Sequence, residues 1–278
     1  MELLALPVVS FVISIFTSQA GVSGAFLLLP FQMSVLNFTS PAVSATNLLY
    51  NIAAIPGGVY RYAREGRLNI YLAAVIIAGT LPGVFLGALI RITYLPDPKT
   101  FKLFVGCVLF YLALRLLISA GKDKTGRSEG ATGVTEVKYK KISAKELIYE
   151  FMGREFRVSI PALLALSFTI GIVGGIYGIG GGAIIAPFLV TVFGLPVYTV
   201  AGATLLGTLS TSIFGVLFYC YLGYPPKWII GLLLGIGGFA GMYAGARLQK
   251  HMPEKIIKSV LGVLILFLAA KYVIPYFL

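Results

Sequence analysis

Six glycines fall within nine residues at Gly174 to Gly182, in the run Gly-Gly-Ile-Tyr-Gly-Ile-Gly-Gly-Gly, with Pro187 close behind and apolar sequence on both sides. A helix crossing lipid normally satisfies its own backbone, so glycines massed there mark a place where the backbone is broken. A helix that starts afresh at such a break presents free N–H groups carrying about half a positive charge. That arrangement can hold an anion without a fixed cation. Gln19-Ala20-Gly21-Val22-Ser23-Gly24-Ala25, with Pro30 beyond it, is a second and less glycine-rich version of the same stretch. After each break comes a segment carrying neutral polar side chains: Thr46, Asn47, Tyr50 and Asn51 in one, Thr204, Thr208 and Ser210 to Ser212 in the other. Asn47 and Asn51 are four apart, as are Thr204 and Thr208, so each pair shares a helical face. The candidate anion-binding set is therefore Gln19, Gly21, Ser23, Gly24, Thr46, Asn47, Asn51, Tyr177, Gly178, Gly180, Gly181, Gly182, Thr204 and Thr208, with Ser18 beside them. Small and hydroxylated residues also join membrane helices with no ligand involved, and that reading competes, most strongly at Ser210 to Ser212.

The elements that must position these residues are membrane helices. The chain has 278 residues, 58% hydrophobic and only 12% charged, with mean hydropathy +0.92. Soluble domains carry about 25% charged residues. The net charge of +12 is not a nucleic-acid footprint, because the basic residues fall in gaps between apolar runs, as on cytoplasmic loops. Cys107 and Cys220 lie in separate apolar runs and suggest neither a disulfide framework nor a metal site. With Glu2 and no basic leader, the first apolar run reads as a retained helix.

The fold class expected is an all-α integral membrane protein. Five apolar segments precede a polar linker, at about 3–19, 24–36, 41–62, 70–92 and 99–119, and five follow it, at about 159–176, 181–194, 197–222, 227–248 and 254–277. A crossing needs about 20 residues, and the second segment of each half is too short. Short, interrupted segments at matching places in two halves point to a transporter's substrate site. Sliding the first half by 157 positions matches Gly21 to Gly178, Gly24 to Gly181, Pro30 to Pro187, Gly58 to Gly215, Tyr62 to Tyr219 and Gly66 to Gly223. Gly83 and Gly87 match Gly241 and Gly245 after one further residue. This periodicity reads as an internal duplication, with a first repeat at 1–119, a linker at 120–158 and a second repeat at 159–278.

The run Gly178-Ile179-Gly180-Gly181-Gly182, then Pro187, then Ala203-Thr204 opening the next helix, resembles the signature of the sulfite exporter TauE/SafE family, also called the toluene sulfonate uptake permeases. The resemblance covers essentially the whole chain. It implies two such repeats and transport of small sulfur oxyanions or related organic anions. The first repeat departs from the glycine-rich form at Gln19 to Ala25.

An odd number of segments per half makes the repeats inverted relative to each other, with short broken or re-entrant helices near the midplane. The gap with Arg61, Arg64 and Arg67, the linker, and the gap with Arg247, Lys250, Lys255 and Lys258 then share one side. Their charge assigns that side to the cytoplasm and both termini to the outside. Merging each short segment with its predecessor gives parallel repeats instead, through single spans of about 33 residues, which is long for one crossing. Within the linker, 120–133 reads as flexible, and 146–151 and 154–160 alternate around Met152-Gly153 like a short β-hairpin.

Several chemistries lack their residues. The sole histidine, His251, sits in a loop beside Met252-Pro253, so an intramembrane triad enzyme has no base. The glycines are not followed by Gly-Lys-Ser/Thr, which excludes a Walker phosphate loop. The glycines at 79, 83, 87, 235, 237, 238 and 241 suit close helix packing. No Asp or Glu lies in the membrane interior to carry a proton, so facilitated flux, anion exchange or Na⁺ coupling is expected ahead of H⁺ symport. The function expected is secondary transport of an organosulfur or related oxyanion across the cytoplasmic membrane; a passive anion channel and a non-transporting assembly or sensory protein stay open. The expected partners are the anion, the bilayer, a coupling ion (Na⁺ or H⁺) and a second copy in a homo-oligomer, with no cofactor.

Overall fold

In the computed structural model, residues 2–19, 22–122, 136–248 and 254–277 are described. Gly21, most of the 120–133 stretch, Lys250, His251 and Pro253 lie outside them. The order is α1 Glu2–Gln19, α2 Ala25–Ser34, α3 Ala42–Arg64, α4 Ile70–Thr93, α5 Pro98–Lys122, then strands β1 Lys138–Ile142, β2 Glu146–Phe151 and β3 Arg154–Ser159, then α6 Ile160–Tyr177, α7 Gly181–Thr191, α8 Val197–Tyr221, α9 Trp228–Leu248 and α10 Glu254–Phe277. The protein is mainly helical and built for a bilayer. Among the described residues α4, α6, α8 and α9 are long and apolar enough to cross a membrane. The outward face of α9 carries exposed Ile229, Leu232, Ile236 and Phe239, which lipid would cover. α2 and α7 have only 10 and 11 residues, about half a crossing.

Close glycine contacts fix how the helices run. Gly237, Gly241 and Gly245 of α9 press in turn on the carbonyl oxygens of Pro7, Phe11 and Ile15 of α1. Gly79, Gly83 and Gly87 of α4 do the same to Leu164, Phe168 and Ile172 of α6. Both pairs therefore run in the same direction. Gly231 and Gly235 lie on Leu49 and Ala53, so α3 runs with α9; Gly215 and Gly202 lie on Leu48 and Tyr62, so α8 runs against α3. Gly207 on Ile76 and Gly215 on Val84 align α8 with α4. Thus α1, α3 and α9 point one way and α4, α6 and α8 the other. Because α1 and α3 are codirectional, the chain between them must come back through the segment at 22–24 and α2; the segment at 178–180 and α7 do the same between α6 and α8. A Cβ at these interfaces would enter a neighbouring backbone. We expect Gly83→Leu to lower stability by about 1–3 kcal/mol through overpacking, read as a fall in the unfolding midpoint in detergent.

Several backbone bonds recur 157 residues apart. Val22 N–H donates to Thr17 O at 3.2 Å and Ile179 N–H to Gly174 O at 3.1 Å; Phe38 N–H donates to Gln32 O at 3.1 Å and Leu195 N–H to Leu189 O at 3.0 Å; Arg67 N–H donates to Tyr62 O at 3.1 Å and Tyr224 N–H to Tyr219 O at 2.8 Å. The positive φ of Asn37 and Gly66, 51° and 69°, returns at Gly194 and Gly223, 65° and 84°.

The strands form one antiparallel sheet in the order β1-β2-β3, and β2 and β3 meet around Met152-Gly153. β1 pairs with β2, a strand that the alternation in the sequence does not mark, because Lys138, Lys140 and Lys141 leave it polar on both faces. The sheet sits on the bundle: Val137 N–H donates to Gly66 O at 3.3 Å, Tyr139 hydroxyl lies 3.2 Å from Asn69 Oδ1, and Tyr149 hydroxyl pairs with Thr199 at 3.0 Å. Burial pushes the Tyr149 phenol up to about 12, so it stays a neutral partner for Thr199. These contacts place the sheet at the end of the bundle that carries Arg61, Arg64 and Arg67.

Candidate functional site

The break after α6 needs glycine twice. Gly178 turns the chain at φ 80° and Gly180 leads into α7 at φ 74°, a region that L side chains rarely adopt. A Cβ at Gly178 would also meet the Ser44 backbone at 2.5 Å. Ending α6 inside the bundle strips its last carbonyls of helical partners, and each must find a donor elsewhere. Gly174 O takes the Gly178 and Ile179 N–H groups. The next carbonyls take side chains: Tyr219 hydroxyl donates to Gly175 O at 3.0 Å, Ser44 to Ile176 O at 3.3 Å, Asn47 Nδ2 to Gly178 O at 3.0 Å, and Asn51 Nδ2 to Ile179 O at 3.0 Å.

The break after α1 is held by the same two asparagines. Asn47 Nδ2 also donates to Ala25 O at 2.8 Å, and Asn51 Oδ1 accepts from Ser23, whose oxygen in turn accepts the Ala25 N–H at 3.1 Å. Asn51 reaches α8 as well, through Ser212 at 3.1 Å. Tyr62 hydroxyl donates to Ser18 O at 3.1 Å, 157 residues before the Tyr219 to Gly175 bond. Pro30 has no N–H to offer the carbonyl four residues back, and Tyr177 hydroxyl takes that Phe26 oxygen at 2.8 Å. We expect Tyr62→Phe and Tyr219→Phe to cost a similar amount, about 1–3 kcal/mol each, by orphaning a buried carbonyl; matched midpoint shifts in denaturation would show it.

Both short helices begin where these bonds converge. Their N-cap residues, Gly24 and Gly180, provide no capping side chain. Thr208, Thr211 and Ser212 surround the α-carbon of Gly180 at 3.0–3.1 Å from a notional Cβ, Gly181 lies on Thr80, and Gly182 lies on the Thr204 carbonyl. The first turn of α7 thus starts packed closely against buried threonines and Ser212, with no charged side chain among the atoms nearest Gly180, Gly181 and Gly182.

Of the residues singled out in the sequence, Ser23, Gly24, Asn47, Asn51, Tyr177, Gly178, Gly180, Gly181, Gly182, Thr204 and Thr208 gather around the two breaks. Thr204 and Thr208 hydroxyls turn back on their own helix, to Val200 O at 3.0 Å and Thr204 O at 2.8 Å. Gln19 sits at the end of α1 and bonds Ile15 O at 2.9 Å. Thr46 points elsewhere: its oxygen accepts the Lys227 N–H at 2.8 Å at the start of α9. Gly21 is outside the described residues. Sequence reasoning missed Gln32, whose amide donates to Asn47 Oδ1 at 3.2 Å, as well as Tyr62 and Tyr219. The last two could have been found, since both are polar and matched in the 157-residue register. Arg91 reads from the sequence as a residue near a helix end, yet it is fully buried. Its guanidinium lies 3.7 Å from the centre of the Phe101 ring and donates to Leu95 O and Thr39 O.

Residues 6–272 match the family described as Sulfite exporter TauE/SafE. The probable membrane transporter protein YunE of Bacillus subtilis is 21% identical over 268 residues, covering 92% of both chains. The probable membrane transporter protein ORF9 of Sinorhizobium sp. is 24% identical over 267 residues, covering 95% of this chain and 89% of its own. YdhB of Bacillus subtilis, another probable membrane transporter protein, is 31% identical over 97 residues, 34% of this chain and 38% of its own. No solved structure gives a significant match.

Proposed function

The chain belongs to the sulfite exporter TauE/SafE family, and from that premise we propose that it is a secondary transporter for a small sulfur oxyanion, of the sulfite, sulfonate and sulfoacetate class, or a related organic anion. The observation that carries this reading is the convergence of the starts of two short helices, α2 and α7, on one polar centre bridged by Asn47 and Asn51; Ser23 takes the first N–H of α2, while the N-cap residue of α7 offers no side chain. Two partial positive ends aimed at one place attract an oxyanion. With no cation fixed beside it, the anion binds weakly enough to leave.

The two halves are inverted repeats in this reading. The opposed directions of α1 and α6, α3 and α8, and α4 and α9 support it, as do the bonds that recur 157 residues apart. Inversion supplies alternating access, because exchanging the conformations of the two halves turns a site open on one side into one open on the other. The end carrying the sheet and Arg61, Arg64, Arg67 and Arg247 is assigned to the cytoplasm on its excess of basic residues. Coupling to Na⁺ is favoured over H⁺ because the centre holds no carboxylate.

Proteoliposomes holding the purified protein should take up sulfite, taurine or sulfoacetate saturably and should show counterflow when preloaded with the same anion. Flux that rises linearly with concentration and shows no counterflow would mark a channel and overturn the proposal.

A further inference from the structure

Away from the break region, a cavity of about 640 Å³ lies between the end of α2, the start of α5 and the end of α10, lined by Lys99, Lys102, Lys271, Tyr272, Ser34 and Tyr276. Three lysine side chains line it, and none makes a salt bridge with a carboxylate among the described residues, although Lys99 is near enough to Asp97 to help hold that carboxyl in its charged form. Asp97, the acidic residue beside α5, is occupied: its carboxylate accepts the Thr100 N–H at 2.8 Å and the Thr100 hydroxyl at 2.9 Å. The hydroxyls in the wall are occupied too. Tyr272 donates to Pro30 O at 2.9 Å and bonds Ser34 at 2.8 Å, tying α10 to α2. What is left to bind a ligand is positive charge alone.

The cavity lies at the level of the bilayer surface. The ends of α4 and α8 and the start of α9 on this face carry Tyr94, Tyr221 and Trp228, exposed by 80%, 86% and 54%, as amphipathic aromatics are at headgroup depth. Lys99 stands in the first turn of α5, just after Tyr94 and Asp97. Three like charges around one hollow repel one another, only Lys99 having a carboxylate nearby, and a bound anion relieves that repulsion. The α5 and α10 pair is closely packed through Gly106 on Tyr272 and Gly262 on Leu117, so the cavity wall is a built surface and not a loop.

We propose that this cavity is a binding site for a tetrahedral oxyanion group, a phosphate or sulfonate, free in the adjoining water or carried on an anionic lipid headgroup. Its position on the face opposite the sheet keeps it distinct from the centre at Asn47 and Asn51, and it stands whether or not that centre transports.

The test uses the full chain in nanodiscs and the variant K99Q/K102Q/K271Q, with K99Q and K271Q alone in case the triple variant misfolds. One arm measures binding of radiolabelled inorganic phosphate in phosphatidylcholine discs. The other counts phosphatidylglycerol retained from mixed discs by native mass spectrometry. The wild type should hold one of these ligands, and the lysine variants should weaken it about tenfold. Loss in the first arm assigns the free oxyanion, and loss in the second alone assigns the headgroup. Equal binding by wild type and variant in both arms, or none by the wild type in either, would overturn the site.

Discussion

Gly182→Ala should weaken the apparent affinity for the transported anion about tenfold, with the protein still monodisperse. The added methyl is the smallest change available, and it would fall inside the Thr204 carbonyl oxygen and against the Thr208 hydroxyl. The first turn of α7 must therefore shift away from α8. A helix N-terminus acts on charge only within its first turn, where it contributes up to about 2 kcal/mol in partly buried settings, or roughly a factor of 30. Concentration dependence of flux in proteoliposomes measures the effect. A control substitution at Gly153, in the exposed sheet turn with open space around its α-carbon but φ 72°, should alter sheet stability and leave affinity unchanged. Wild-type affinity in Gly182→Ala would remove the α7 N-terminus from the site.

Asn51→Leu should destabilise the protein more than any other single change in the centre, by on the order of 3 kcal/mol or more. The amide donates to Ile179 O and to Ser212 and accepts from Ser23, and all three partners are buried. Leucine fills a similar volume and leaves each without its bond, inside a low-dielectric bundle where no water replaces it. Asn51→Asp should also fail, since a carboxylate cannot donate to the Ile179 carbonyl, whereas Asn51→Gln keeps both donors and an acceptor and should recover part of the loss. Unfolding midpoints of the three variants give the order. If Asn51→Leu kept wild-type stability and lost only flux, the amide would be a substrate ligand and not the tie between the breaks.

The same residue shows where reading from sequence alone runs out. Asn47 and Asn51 stand out because amides are costly in lipid and four-residue spacing puts them on one face. That reasoning finds the residues but assigns them to the anion. In the fold their N–H groups go to the carbonyls of Ala25, Gly178 and Ile179, so in this conformation they close the backbone at both breaks. Thr46 illustrates the opposite limit: one position before Asn47, it faces α9 instead of the breaks.

What the sequence determined by itself was whatever depends on local chemistry along the chain. Apolar segment length separates the short helices α2 and α7 from the others, glycine density marks the break at Gly178 to Gly182, and the 157-residue register pairs Tyr62 with Tyr219. The tertiary structure alone decided which donor meets which orphaned carbonyl. Each helix ended inside the bundle leaves C=O groups that only another helix can reach, so Tyr219 on Gly175 and Asn47 on Gly178 are fixed by how α3, α6 and α8 cross. The same holds for the lysine cavity, where Lys99 and Lys271 are far apart in sequence and come together because α5 and α10 pack antiparallel with the end of α2 between their tips. Spacing reports neighbours one helical turn away; packing of whole helices brings residues from opposite ends of the chain to one point.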